Sequence, residues 1–337
     1  MAPDPQAALS AAYRDQVAQV RSRVLLFVAA TWFALGNWRD RDVDEFVALV
    51  VPRVIGGQRT IASLTTGYLA SLAVLHFGGR LRPADVDPAS VTGAAVRRGT
   101  DPAAVYRRAG EQVWTALSRG QSLEAAVLQG VDRAQEAAAT DLQLAKTHTS
   151  AQVLAQDRRK PTGYRRVLEG DSSCGLCALA ATQRYTISEL MPIHPACDCS
   201  VAPLYGWNDR VLDPAEAARI HDLAQQFFGD GVDTFEASKG SHSGRREYDF
   251  RDFVVVHDHG ELGPVLGRKG QQFTGPDELG KRPRPAPEPR TEADTRDLQI
   301  TQLRERIPGL ADRVAAGDAT AQAALDWSQT RLAALTG

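Results

Sequence analysis

Apolar residues recur every three or four positions through residues 1–157, the period of α-helices that bury one face. Ala8 to Leu35 is alanine-rich with few breakers, and reads as one helix. In the next stretch Phe46, Val50, Val54, Ile61, Leu64 and Tyr68 keep helical spacing, with Pro52 and the Gly56–Gly57 pair expected to kink or divide it. "RLRPADVDPAS" (80–90) reads as a loop. Asp101 as N-cap, Pro102 in the first turn and Gly120 past the end bracket a further helix with Val105, Ala109, Val113 and Leu117 on one face. Ser122 is placed to cap the helix that follows, which runs to Gln156.

After Lys160–Pro161 the period changes. "GYRRVLEG" (163–170) alternates like a strand, and "CSVAPLYGW" (199–207) reads as another. "DPAEAARIHDLAQQFFGDG" (213–231) has the pattern of a capped helix, and Phe253 to Val256 is a short β-prone run among Gly and Pro turns. "KRPRPAPEPRTEADTRD" (281–297) is charged, proline-rich and nearly free of apolar residues, so it reads as an extended linker. The remainder (298–337) predicts one or two amphipathic helices, broken near Pro308 and Gly317. The pattern predicts an α+β protein: a mainly helical N-terminal half (1–157) for scaffolding or docking, a small α+β module (158–280), the linker, and a C-terminal helical segment suited to partner binding.

Composition narrows the possibilities. The chain has 337 residues, 43% hydrophobic and 24% charged, with a formal net charge of −2, so bulk electrostatics gives no case for a polyanion binder. Four cysteines are too few for a disulfide-stapled secreted scaffold of this size. The apolar run Val24–Leu35, preceded by Arg21 and Arg23, is too short to span a bilayer. It is followed by "GNWRDRD", without a small-residue cleavage site. It therefore predicts a buried helix in a chain that is cytoplasmic when made, with no membrane partner.

All four cysteines fall in "DSSCGLCALAATQRYTISELMPIHPACDCS" (171–200), spaced as C-x2-C, a loop, then H-x2-C-x-C. Two close ligand pairs across a loop match a structural zinc site, in which four N or S ligands close a tetrahedron. Cys174 and Cys177 form one side, and His194, Cys197 and Cys199 are three candidates for two places on the other. Three other chemistries fit the residue types: disulfides, in three possible connectivities; a C-x-x-C redox pair at a helix N-terminus; and a cysteine nucleophile activated by His194. Haem attachment is excluded, because Ala178 stands where histidine is required. His257 and His259, beside Asp258 and Glu261, read as a strand end and turn, and His76, His148, His221 and His242 as isolated structural or exposed residues. No P-loop, dinucleotide fingerprint, H-E-x-x-H or G-x-S-x-G pattern is present. "RRKPTGYRR" (158–166) sets Arg158, Arg159, Lys160, Arg165 and Arg166 around Tyr164, either a solvated interdomain face or a set of phosphate contacts to DNA.

Tyr164, Arg165, Arg166, Cys174, Cys177, His194, Pro195, Cys197 and Cys199 together resemble the C-terminal module of MuF-like minor capsid, or head morphogenesis, proteins of tailed phages. "HGELGPVLGRKGQQFTG" (259–275) is similar to a segment of such proteins from phages of actinobacteria. The resemblance implies a virion protein made in the host cytoplasm and placed in few copies inside the capsid at the portal vertex. It implies portal, capsid or scaffold proteins as partners, and a role in head assembly or in handling the packaged double-stranded DNA. Genes in this position are also labelled capsid maturation protease. Outside the cysteine cluster the chain offers no catalytic set for that activity, and zinc rests on the spacing alone.

Overall fold

Among the described residues four α-helices precede the first strand: α1 (Pro5–Phe33), α2 (Asp40–Phe77), α3 (Pro102–Ser118) and α4 (Leu123–Gln156). The computed structural model describes residues 5–80, 82–168, 175–189, 197–209, 211, 254–268 and 292–336. The helix boundaries follow the expected caps. Asp101 accepts the Ala103 N–H ahead of α3, the chain leaves that helix through Gly120 at φ 75°, and Ser122 Oγ accepts the Ala125 N–H at 3.2 Å to open α4. α2 departs from expectation: Pro52 lies inside an unbroken helix, and Gly56–Gly57 does not divide it. Phe46, Val50, Val54 and Ile61, on either side, are at most 2% exposed, and packing of that stripe outweighs one missing backbone hydrogen bond. Among the described residues α2 is also the helix long and apolar enough, by length and composition, to cross a membrane. Its Gln58, 1% exposed, donates to the Asp141 carbonyl at 3.1 Å and accepts the Gly93 N–H at 2.8 Å, so this polar side chain is spent inside the protein fold.

The chain divides into two compact units, one drawn from 1–18, 58–99 and 140–276, the other from 19–57, 100–139 and 277–337. α1, α2 and α4 each contribute to both. The second unit is helical. Its centre is Trp32, fully buried, edge-on to Phe46 at 5.0 Å and donating Nε1–H to the Val127 carbonyl at 2.9 Å. Two glycines let helices approach: a Cβ on Gly110 would meet Val43 Cγ2 at 2.6 Å, and one on Gly130 would collide with the Trp32 ring and with Val113 at 2.8 Å. α6 (Glu292–Ala315) and α7 (Ala319–Thr336) complete this unit as a helical hairpin that buries Leu303, Leu310, Ala321 and Leu325. The break falls at Gly317 (φ 89°), as expected, whereas Pro308 is accommodated within α6. α6 also begins inside the stretch expected to be linker. The rest of that linker and the expected helix 213–231 lie outside the described residues.

The first unit carries the β structure. β1 (Gly163–Val167) is the middle strand of a three-stranded antiparallel sheet, between β2 (Arg184–Tyr185) and β3 (Ser200–Leu204). Its register pairs Tyr164 with Tyr185 and Pro203, and Arg166 with Val201. α5 (Gly175–Ala181), wholly buried, packs on β1. β4 (Val254–His259) and β5 (Gly263–Arg268) form a separate hairpin, and His259 Nδ1 accepts the Glu261 and Leu262 N–H groups at 3.3 Å in its turn. The strand-end reading of His259 therefore holds. Leu262 and Val265 of this hairpin are buried with Val96 and Leu144, and Glu261 accepts from Arg97 Nη1 at 3.1 Å. Arg97 also binds Asp141 of α4 at 2.5 Å, and all three charged side chains are about 5% exposed. The structure is thus mainly helical with a small antiparallel sheet, the α+β class that the patterning predicts.

Two substitutions test this packing. Gly130→Ala pushes a methyl into Trp32 and is expected to cost at least 1–3 kcal/mol, read as a lower midpoint in urea unfolding (about this much for overpacking). Arg97→Ala strands two buried carboxylates, costing about 3–5 kcal/mol. Limited proteolysis of that variant is expected to cut first near the β4–β5 hairpin.

Candidate metal centre

β1 alternates, so Tyr164 and Arg166 share one face of the sheet. Both are buried, at 0% and 2% exposed. Tyr164 stacks on Tyr185 of β2, ring centroids 5.1 Å apart, and the Arg166 guanidinium lies 5.3 Å from the Tyr185 centroid and 6.0 Å from that of Tyr164. Arg166 Nη1 then donates to Cys199 Sγ at 3.3 Å. Cys199 immediately precedes β3, so strand pairing between β1 and β3 delivers the sulfur to the guanidinium.

Three sulfurs meet here. Cys177 comes from α5, and Cys197 and Cys199 from the segment entering β3. The Cys177–Cys197 and Cys197–Cys199 Sγ separations are 3.3 and 3.2 Å, and all three sulfurs lie within 4.8 Å of one another. A disulfide would need about 2.05 Å, so none joins these three. Zinc–sulfur bonds of about 2.3 Å in a tetrahedron place ligand sulfurs about 3.8 Å apart; the two close pairs here are about 0.5 Å tighter than that, and the group lies within 4.8 Å. The donor set therefore fits a thiophilic metal. Among the described residues this is the one such group of potential ligands.

α4 holds the Cys197–Cys199 segment from the other side. Lys146 Nζ donates to the Asp198 carbonyl at 2.5 Å, and Gln143 Nε2 to the Cys199 carbonyl at 3.5 Å. Gln143 and Lys146 are three apart on α4, hence on one face, and are 4% and 3% exposed. Electrostatics follow from this enclosure. Hydrogen bonds from Cys177 and Cys197 hold the Cys199 thiol well below its ordinary range, against burial and with help from Arg166 and Lys146. For Cys197 the bond with Cys177 favours ionisation, but the bond to Cys199 and burial outweigh it, and its pKa is raised. Burial alone would lower the Arg166 pKa, yet Cys199, Tyr164, Tyr185 and Cys197 outweigh burial and raise it. One thiolate held beside two cations is a starting ligand for a divalent metal, whose binding draws protons from the others.

The sequence-predicted residues are distributed as follows. Cys177, Cys197 and Cys199 come together, whereas Cys174 and His194 lie outside the described residues. Arg158, Arg159 and Lys160 are exposed on the turn after α4, and Arg165 is half-buried on β1. Arg166 corrects its reading as a phosphate contact: it is sealed inside, bonded to sulfur, because strand alternation turns it to the same face as Tyr164. Gln143 and Lys146 carry no sequence signal of this role, being more than fifty positions from the cysteines they hold. Replacing Arg166 by leucine leaves an uncompensated thiolate and is expected to lower stability by about 3–5 kcal/mol. Arg166→Lys is expected to recover only part of this in urea unfolding, since an ammonium cannot stack on both rings as a planar guanidinium does.

No curated protein and no solved structure matches the chain. The family model of VG15 proteins matches residues 5–225, a span that takes in all four N-terminal helices, the three-stranded sheet and the cysteine cluster. Because the match covers well over half of the 337 residues, the chain belongs to the VG15 protein family, a phage-associated viral family.

Proposed function

We propose that the chain is a minor capsid protein of a phage head, acting in assembly at the portal vertex, with its α+β module held closed by a structural zinc. The observation that carries the zinc is the convergence of Cys177, Cys197 and Cys199 with sulfurs 3.2–3.3 Å apart in a pocket flanked by Arg166 and Lys146. Cys174, three residues before Cys177, and His194, three before Cys197, supply the candidates for the fourth ligand. The capsid role is supported by membership of a phage-associated family and by the resemblance of the "GYRR…C-x2-C…HP-x-C-x-C" signature to head morphogenesis proteins. Portal and capsid or scaffold proteins are the partners of this reading, and the capsid interior is its location.

The geometry favours a clip over a protease nucleophile. Reactive cysteines occupy partly exposed positions, whereas Cys177, Cys197 and Cys199 are 2–3% exposed and engage one another. A zinc bound here supplies folding energy to a module with a small core of its own, and its removal loosens the loop entering β3.

Elemental analysis of the purified chain is expected to give one zinc per molecule, and a chelator is expected to lower the melting temperature. Four titratable thiols with less than about a tenth of an equivalent of metal overturn the zinc reading. Co-expression with the portal and major capsid proteins of the same phage, followed by gradient sedimentation, tests the capsid role. The chain is expected in the particle fraction at low copy number, and its absence from particles overturns that role.

A further inference from the structure

A second surface of the first unit has no part in the cysteine clip. Trp207 is 78% exposed and Phe77 50%, the two most conspicuous aromatic exposures among the described residues. Neither sits on a slack segment. The loop carrying Trp207 is fastened at both ends: Asp209 Oδ2 accepts the Tyr205 and Gly206 N–H groups at 2.7 and 2.8 Å, and Arg184 Nη2 donates to the Gly206, Trp207 and Asp209 carbonyls at 3.1–3.2 Å. The same guanidinium lies 5.6 Å from the Trp207 ring centroid. Five hydrogen bonds thus hold an indole outward in water, a cost that packing within the unit does not offset.

The loop is tied to a basic turn. Tyr205 O–H bonds Asp157 Oδ2 at 2.8 Å, and Asp157 also accepts the Arg159 N–H at 2.9 Å through its side chain and the Lys160 N–H at 3.0 Å through its carbonyl. Arg158, Arg159 and Lys160 are all exposed on this turn, Lys160 in the left-handed region at φ 51°. The Arg159 guanidinium lies 5.1 Å from the Phe77 centroid, and Phe77 meets the Tyr205 ring at 4.7 Å. The basic turn and the Phe77–Tyr205 ridge are therefore in contact, and Trp207 follows two residues after Tyr205 on the same fastened loop. The two carboxylates of this patch, Asp157 and Asp209, are committed to internal hydrogen bonds, while Arg158 and Lys160 face water and Arg159, exposed as well, lies over Phe77.

We infer that this patch binds single-stranded nucleic acid, with an unpaired base stacked on Trp207 and the backbone phosphates on Arg158, Arg159 and Lys160. Polyanion recognition follows from charge complementarity: three consecutive exposed cations on a chain whose net charge is −2. The single strand is chosen by the indole, because stacking on a fixed aromatic face needs a base that is out of its duplex, and aromatic residues beside a basic track are the standard means of holding one. A duplex offers the phosphates and leaves Trp207 unused. The inference stands independently of the capsid reading and of the zinc.

The test is fluorescence anisotropy of the full-length chain as purified with a labelled oligo-dT, a duplex of the same length and a poly-glutamate peptide, at rising salt. Oligo-dT is expected to bind most tightly, with affinity falling steeply with salt. Trp207→Ala, at an exposed position, is expected to weaken oligo-dT binding by about tenfold or more and leave duplex binding unchanged. Arg158→Glu with Lys160→Glu is expected to weaken both nucleic acids. Unchanged melting curves of these variants separate lost binding from lost folding. The inference is overturned if oligo-dT does not bind at low salt, if Trp207→Ala has no effect on it, if duplex binds as tightly as single strand, or if poly-glutamate matches it, which would make the patch a docking face for an acidic protein.

Discussion

A guanidinium sealed from water must find a negative charge, and in this protein Arg166 finds it in sulfur. That requirement organises the small α+β module. Cys199 has to stand at the start of β3, β3 has to pair with β1 in the observed register, and Tyr164 and Tyr185 have to present ring faces around the cation. Burial, opposed by Arg166, pushes the pKa of the Tyr185 hydroxyl up to about 12. Each partner is costly to bury alone, and together they close the charge account of the site.

α4 carries this arrangement and a second one beside it. Within less than two turns Asp141 pairs with Arg97, Gln143 binds the Cys199 carbonyl and Lys146 binds the Asp198 carbonyl. The β4–β5 hairpin is reached through Arg97 and Glu261, and the cysteine segment through Gln143 and Lys146. A helix that looks alanine-rich and bland along most of its length therefore concentrates its polar residues where two otherwise separate β elements need partners.

These particulars explain how far the sequence could be read. Helix caps at Asp101 and Ser122 were legible because capping is decided by a few adjacent residues. The cysteine cluster was legible because cysteine is scarce and its ligand spacings are short. Pro52 and Pro308 do not divide their helices, since local propensity yields to the packing of a long apolar stripe. Arg166 sits in sequence among charged neighbours that suit a surface, although the alternation Tyr164–Arg165–Arg166 places it on the opposite face from Arg165. The division into two units was not legible, because it is made by contacts between residues far apart in the chain.

The separation of Arg166 from Cys199 has a consequence for the order of folding. Cys199 follows Arg166 by 33 positions, so a ribosome synthesises the whole of β1 well before the sulfur that neutralises it. Until Cys199 has left the exit tunnel, burying β1 would strand a cation in a dry interior. β1 must therefore wait, with Arg166 in water, until β3 arrives to close the three-stranded sheet. The helices of the second unit that are made first carry no such debt and are free to pack as they emerge.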